Sequence, residues 1–356
     1  MTGEILGVIV IFFLTVLLAW PLGKYITKVF KGERNFMDFM NPAERFIFRI
    51  SGINPNESMS WKQFLKAMLT INLLWLVYAM FMLIFQDKLP LNPDGNPGQT
   101  PDLAFNTAIS FLVNCNLQHY SGESGLTYLT QLFVVTFLQF LSAATGIACL
   151  IALFNGLKEK TTNNLGNFWN YLVKSTTRIL LPLSIVLAVI LAFNGTPTSY
   201  DGKDSIVTLQ GDSVQVSRGP AAGMIGIKQM GTNGGGWFGA NSAHPFENPN
   251  YFTNAVETIA IILIPIALVF ALGFYLDKKK FAWIIFGVMT FFCVLFIVIN
   301  TYYEVRGNPA IDRMGVSQTL GSMEGKEVRL GSAATALWSV VTTSTSNGSV
   351  NGKCIR

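Results

Sequence analysis

Six apolar stretches decide what this chain can fold into: residues 5–23, 67–86, 127–154, 178–193, 255–276 and 281–300. Bilayer hydrocarbon is about 30 Å thick and a helix rises about 1.5 Å per residue, so about 20 mostly apolar residues cross it. The stretch 178–193 is shorter and carries Pro182, so its ends are the least defined of the set. Each stretch is apolar around its whole circumference, which suits lipid better than the one-sided contact of a soluble amphipathic helix. Charged residues are 13% of the 356, about half of the roughly 25% usual in soluble domains. So little charge cannot cover the surface of soluble domains, and so many apolar residues exclude a disordered chain. The net charge of +5 is not gathered into a basic-aromatic stripe, which argues against nucleic acid as a partner. The expected fold is an all-α polytopic membrane protein in a lipid bilayer.

Basic residues set the expected topology. Lys24, Lys28, Lys31, Arg34, Arg45, Arg49, Lys62 and Lys66 lie in the first loop. Lys158, Lys160, Lys174 and Arg178 lie in or beside the third, and Lys278, Lys279 and Lys280 in the fifth. The positive-inside rule places these loops in the cytoplasm. Only Glu4 precedes the first apolar run and lysines come after it, the reverse of a secretory signal, so a retained helix with its N-terminus outside is expected. The outer segments 87–126, 194–254 and 301 onward are longer, nearly charge-balanced, and rich in Gly, Pro and Asn. Cys115, Cys149, Cys293 and Cys354 form no CxxC pair, and His119 and His244 stand alone, so no metal site other than one for a transported ion is expected.

The outer segments repeat one plan. Half-length apolar stretches at 104–113, 220–230 and 333–341 each run into a turn rich in Gly, Asn, Ser and Thr, at 114–122, 231–236 and 342–349. Ten helical residues span about 15 Å, half of the hydrocarbon. Irregular backbone at that depth must be buried in protein or line a watery cavity. Such turns can aim carbonyl oxygens at a dehydrated cation, and small polar side chains add oxygens without adding charge. Acidic rings, which suit divalent ions, are missing from the turns. Taken singly, each turn also reads as an ordinary outer loop; the threefold recurrence is what points to a pore. Gly234–Gly236 lacks the Lys and Ser/Thr of a phosphate-cradling loop.

At these residues the chain resembles the KdpA family, potassium-binding subunits of the bacterial Kdp potassium-importing P-type ATPase. Gly231-Thr232-Asn233-Gly234-Gly235-Gly236-Trp237-Phe238, continued by Asn241-Ser242-Ala243-His244-Pro245-Phe246-Glu247-Asn248-Pro249, is similar to the family's second filter and its continuation. Residues 114–123, with Asn116, Gln118 and the Tyr120-Ser121-Gly122-Glu123 tail, resemble the first filter, and 342–351 the third. The resemblance runs from Met1 to about Asn351. It implies membrane–pore–membrane units of the potassium-channel-like superfamily, with re-entrant pore helices and filter loops behind one extra N-terminal helix. It also implies a complex in the bacterial inner (plasma) membrane with the ATP-hydrolysing P-type subunit KdpB, the accessory subunit KdpC and the small membrane subunit KdpF. By motif match the potassium ligands would be Asn116 and Gln118, then Thr232, Asn233 and Gly234, then Ser346, Asn347 and Gly348. Cys115 stands where Thr is usual, and Asn347 where some relatives carry Cys.

On this reading residues 1–66 are the extra helix and its loop, 67–155 the first pore unit, 156–276 the second and 277–356 an incomplete third, with the fourth absent. The tail Gly352-Lys353-Cys354-Ile355-Arg356 departs from the family pattern, which implies a chain cut short at its C-terminal end. The expected function is potassium binding and translocation in an ATP-driven importer, with K+ as cargo, no organic cofactor and no catalytic residue here. Three alternatives stand beside it. They are a stand-alone channel or ion-coupled transporter, a non-functional truncated product, and a membrane enzyme built on His119, Glu123, His244 and Glu247.

Overall fold

The structure, a computed structural model, describes residues 2–158 and 164–352. Cys354, Lys160 and the tail beyond Gly352 lie outside the described residues. Among those described, six helices are long and apolar enough to cross a membrane: Gly3–Lys31, Trp61–Ile84, Tyr128–Lys158, Phe168–Phe193, Tyr251–Tyr275 and Lys279–Asp312. All six expected stretches are there, and most run past the apolar limits. The first continues through Lys24 and Lys28 to Lys31. Lysine is a good helix former, and its ammonium can snorkel to the interface while the helix goes on.

The fourth span begins ten residues before the expected 178. It carries a π-helical turn at Ser175–Leu180, and the third span carries another at Gln131–Thr136. Arg178 is tolerated there because its Nε donates to Glu44 Oε1 at 2.7 Å and its Nη1 to Asp38 Oδ1 at 2.9 Å. Side-chain caps start two of the spans ahead of the apolar pattern, at 61 where the apolar stretch begins at 67 and at 251 where it begins at 255. Ser60 and Gln63 form a capping box at Trp61, and Asn250 and Thr253 one at Tyr251.

The first and fifth spans pack side by side in close contact. A Cβ on Gly23 would lie 2.6 Å from the Ala267 carbonyl oxygen and 2.9 Å from the Phe270 Cβ. Thr27 Oγ1 donates to its own helix at Gly23 O (2.9 Å) and across to Ala271 O (3.2 Å). Small residues at a helix interface allow this approach where lipid supplies no hydrophobic drive. The helix ends place Lys31, Lys158, Phe168 and Lys279 on one face of the bundle, here the basic face. The opposite face carries a short hairpin that the apolar pattern does not foretell, Asp204–Val207 paired antiparallel with Ser213–Val216.

Three half-helices descend from that opposite face, Pro101–Leu112, Ala221–Met230 and Ser332–Ser344. Each is within three residues of its expected limits. They are buried among the spans, with Phe111, Ile225, Ile227 and Trp338 almost fully enclosed.

Candidate functional site: three convergent turns

Each half-helix ends in the same way. One residue past its cap the chain enters the left-handed region, at Asn114 (φ 61°), Thr232 (φ 53°) and Ser346 (φ 58°). The next amide then reaches back five residues: Cys115 N–H to Ser110 O at 3.0 Å, Asn233 to Lys228 at 2.9 Å and Asn347 to Thr342 at 2.9 Å. In the second and third turns the shorter bond of a Schellman motif is made as well, Thr232 N–H to Gln229 O (3.2 Å) and Ser346 N–H to Thr343 O (3.3 Å). The recurrence seen in composition is therefore a recurrence of backbone conformation.

The turns meet. Gly348 N–H donates to Asn233 O at 3.2 Å, joining the third to the second. Gly234, at φ 111°, has no room for a side chain: a Cβ there would lie 2.1 Å from Gly348 N and 2.3 Å from its Cα. Asn114 Nδ2 bridges from the first turn to the carbonyls of Gly231 (3.3 Å) and Thr232 (3.4 Å). Gln118 brackets Gly236, donating from Nε2 to its carbonyl (3.1 Å) and accepting its amide at Oε1 (2.8 Å). Three helix C-termini thus point at one place, and each carries roughly half a negative charge from its unpaired carbonyls. A cavity of about 680 Å³ opens beneath, lined mostly by apolar side chains such as Met68, Leu73, Ile109 and Leu268, together with Asn114, Ser142 and Thr232.

The eight sequence-expected residues all belong to these turns, in different roles. Asn116 (φ 56°) is buried, and neither its Oδ1 nor its Nδ2 has a partner among the described residues. Thr232 is half-buried, and Ser346 and Gly348 are exposed. The side chains of Asn233 and Asn347 turn back into the protein. Asn233 Nδ2 donates to Asn114 Oδ1, Gln139 O and Ser142 Oγ. Asn347 bridges Gln229 Oε1 (3.3 Å) and the Ser349 amide (2.7 Å). Gln118, as described, holds Gly236. These three shape the turns through their side chains, while the Asn233 carbonyl accepts the Gly348 N–H and the Asn347 carbonyl accepts the Thr342 hydroxyl.

A polar scaffold behind the second and third turns was missed. Lys228 and Glu247, both fully buried, form an ion pair. Lys228 also donates to Asn241 Oδ1 (2.8 Å) and Ser242 Oγ (2.7 Å), while Asn241 Nδ2 holds the Gly234 carbonyl at 2.7 Å. Glu247 Oε1 accepts the Phe238 amide at 2.9 Å. Deeper still, Gln229 Nε2 links Glu257, Ser242 and Ser349 at 2.7, 3.1 and 3.1 Å. The signal was present: a lysine in the apolar run of the second half-helix requires a buried anion.

Three residues of the alternative cluster have structural partners, and the fourth is exposed. Glu247 is committed to Lys228, Glu123 accepts the Gly239 amide at 2.7 Å, and His119 is exposed. His244 stacks on Phe238 with ring centroids 4.0 Å apart, and its Nδ1 accepts the Phe246 amide at 3.1 Å. Burial lowers its pKa from the ordinary histidine value. Among the described residues no three His, Cys, Asp or Glu side chains are placed to hold a metal ion.

Spans with re-entrant half-helices whose turns converge define a polytopic all-α membrane protein of the pore-loop kind. The chain belongs to the KdpA family, the potassium-transporting ATPase A subunits, whose profile matches residues 9–354. It is 62% identical over 352 residues to the potassium-transporting ATPase potassium-binding subunit of Flavobacterium johnsoniae, covering 99% of this chain and 61% of that one. The protein of the same description from Phocaeicola vulgatus is 59% identical, covering 99% of this chain and 62% of its own length. The one from Pseudomonas fluorescens is 46% identical, covering 97% and 61%. The chain spans about three-fifths of the length of these relatives.

Proposed function

We propose that this chain carries three of the filter turns of a potassium-binding subunit, and that the ion descends between them from the face opposite the basic residues. The observation that carries the reading is the convergence of three helix C-termini that share a left-handed residue and a five-residue reach-back, with neutral oxygen donors and no carboxylate in the turns. Neutral oxygens and helix dipoles suit a dehydrated monovalent cation that must also leave. Asn116, Thr232, Ser346 and the main chain of Gln118, Asn233, Gly234, Asn347 and Gly348 are the proposed ligand set. Residues 67–155 and 156–276 are two pore units, 277–356 belongs to a third, and a fourth is supplied by the further length that the relatives have. The cavity beneath the turns begins the route toward the basic face, which the positive-inside rule makes cytoplasmic, with the N-terminus outside in a bacterial inner membrane. ATP hydrolysis falls to a P-type partner, KdpB, in a complex with KdpC and KdpF, and this subunit has no catalytic residue of its own.

The test uses a chimera in which residues 1–351 replace the matching part of the Flavobacterium johnsoniae subunit, co-expressed with that organism's partner subunits. Gly234→Ala forces the third turn away by more than 1 Å, and Gly234→Asp adds a charge beside the path. Potassium uptake at limiting potassium should fall strongly in the first and further in the second. Uptake unchanged by both substitutions would remove the filter assignment.

A further inference from the structure

Residues 34–51 lie outside the six spans, yet they expose side chains of the kind a lipid-facing span exposes. Phe36, Phe39, Phe46 and Ile50 are 72, 69, 64 and 70% exposed. The segment is nonetheless ordered against the protein by a 3₁₀ turn at Phe36–Met40 and a helix at Asn41–Ser51. At about 100° per residue the helix presents three stripes. Glu44 and Phe48 are buried, Arg45 and Arg49 form an exposed basic stripe, and Phe46 and Ile50 form an exposed apolar one.

Its depth is set by its anchors. The Phe36 ring stacks on Tyr25 at 4.8 Å, and Tyr25 sits six residues before the first helix ends at Lys31, about 9 Å back along its axis. The Tyr25 hydroxyl donates to Arg178 O at 2.8 Å. Arg178 lies ten residues into the Phe168–Phe193 span and binds this segment directly. Its Nη2 donates to Glu44 Oε2 and to Asn41 Oδ1, both at 2.7 Å. The chain therefore leaves the first helix, turns, and comes back to a level that the helix ends have already passed.

We propose that residues 34–51 form an interfacial element on the basic face whose partner is the bilayer itself. Phe36, Phe39, Phe46 and Ile50 enter the acyl boundary of that leaflet, and Arg34, Arg45 and Arg49 lie against anionic headgroup phosphates. The doubled-back depth puts the aromatic rings at the lipid boundary. The flanking arginines supply the charge complementarity, and Lys24, Lys28, Lys31 and Lys278–Lys280 carry the same sign on the same face. An apolar stripe beside a basic one, at low overall hydrophobicity, is the physical signature of a helix that lies in the interface plane. Arginine stems reach headgroups from such a position by snorkelling.

Nitroxide labels test this at Phe39→Cys, Arg45→Cys, Phe46→Cys, Arg49→Cys and Ile50→Cys, with Cys115, Cys149, Cys293 and Cys354 replaced by Ala. The chain is reconstituted in phosphatidylethanolamine–phosphatidylglycerol vesicles, and the same labels are placed in the full-length chimera assembled with its partner subunits. Oxygen-over-nickel-chelate accessibility at 39, 46 and 50 should exceed that at 45 and 49 several-fold in both. Equal ratios, with the chelate reaching 46 freely, would put the segment in water and overturn the proposal. Shielding of 46 and 50 from both reagents in the assembled complex would assign the face to a protein partner and overturn it equally. A photoreactive phospholipid applied to the unsubstituted chain avoids the cysteine changes. Cross-links within 36–50 are expected, and labelling of the exposed sixth span without any there would count against the proposal.

Discussion

Replacing Lys228 with Met takes the cation out of a site that water does not reach. Both partners of the Lys228–Glu247 pair are 0% exposed. Breaking a buried pair by removing one member costs about 3–5 kcal/mol, because the other charge is left uncompensated. Lys228→Met also deprives Asn241 Oδ1 and Ser242 Oγ of a donor, which puts the expected loss at the upper end, about 5 kcal/mol. The double variant Lys228→Met with Glu247→Gln no longer strands the Glu247 charge, and its amide oxygen can still accept the Phe238 N–H. It should recover about 2–3 kcal/mol of the loss. Reversible unfolding of the chimera in mixed micelles, titrated with SDS and followed by tryptophan fluorescence, measures the cycle. A Lys228→Met loss within about 0.5 kcal/mol of zero, typical of an exposed site, would refute the buried pair. Equal losses for the single and double variants would show that packing of the lysine stem, not its charge, is what matters. The functional consequence is separable. Asn241 Oδ1 keeps only the Ser242 amide at 2.8 Å, so the Gly234 carbonyl is held less firmly, and discrimination of potassium from sodium should stay impaired in the double variant even where stability returns.

Gln118→Ala removes two hydrogen bonds to Gly236, each worth about 1 kcal/mol. The unfolding free energy of the chimera should fall by about 2 kcal/mol, and isotope uptake against concentration should show weaker potassium affinity because the turn is no longer held in its binding geometry. Gly23→Ala should destabilise the protein although alanine is the better helix former by about 1 kcal/mol, since its Cβ would meet the fifth span at 2.6 Å; a rise in unfolding free energy would disprove that contact. His244 is held below its ordinary pKa by burial, so its folded form binds protons less readily than its unfolded form. Its contribution to stability is complete above about pH 6.5 and is lost as pH falls from there through the folded value. Unfolding midpoints of His244→Phe should therefore be flatter than those of the parent across that acidic range.

The spans and half-helices were legible because hydropathy adds along the chain and length alone separates a crossing from a half-crossing. Their limits were less so, because hydropathy reports depth while a helix continues as long as its hydrogen bonds do. Lys24 to Lys31 extend the first helix past the apolar run, and the fourth, capped by Asn167, tolerates Arg178 inside it because that side chain finds Glu44 and Asp38 more than 130 residues earlier in the chain. No local pattern encodes such a partner. The same gap governs the turns. Position along the motif showed which residues line them, but the inward rotation of Asn233 and Asn347 depends on Ser142, Gln139 and Gln229, which lie on other elements.

What the three turns share is informative in another way. The left-handed position is filled by Asn, Thr and Ser in turn, and a β-branched Thr232 at φ 53° is costly for its residue type. Where different side chains accept the same strained backbone, and the same five-residue reach-back comes next each time, the constraint acts on the direction of the peptide groups. Carbonyl placement, more than side-chain identity, is then what these helix ends are built to preserve.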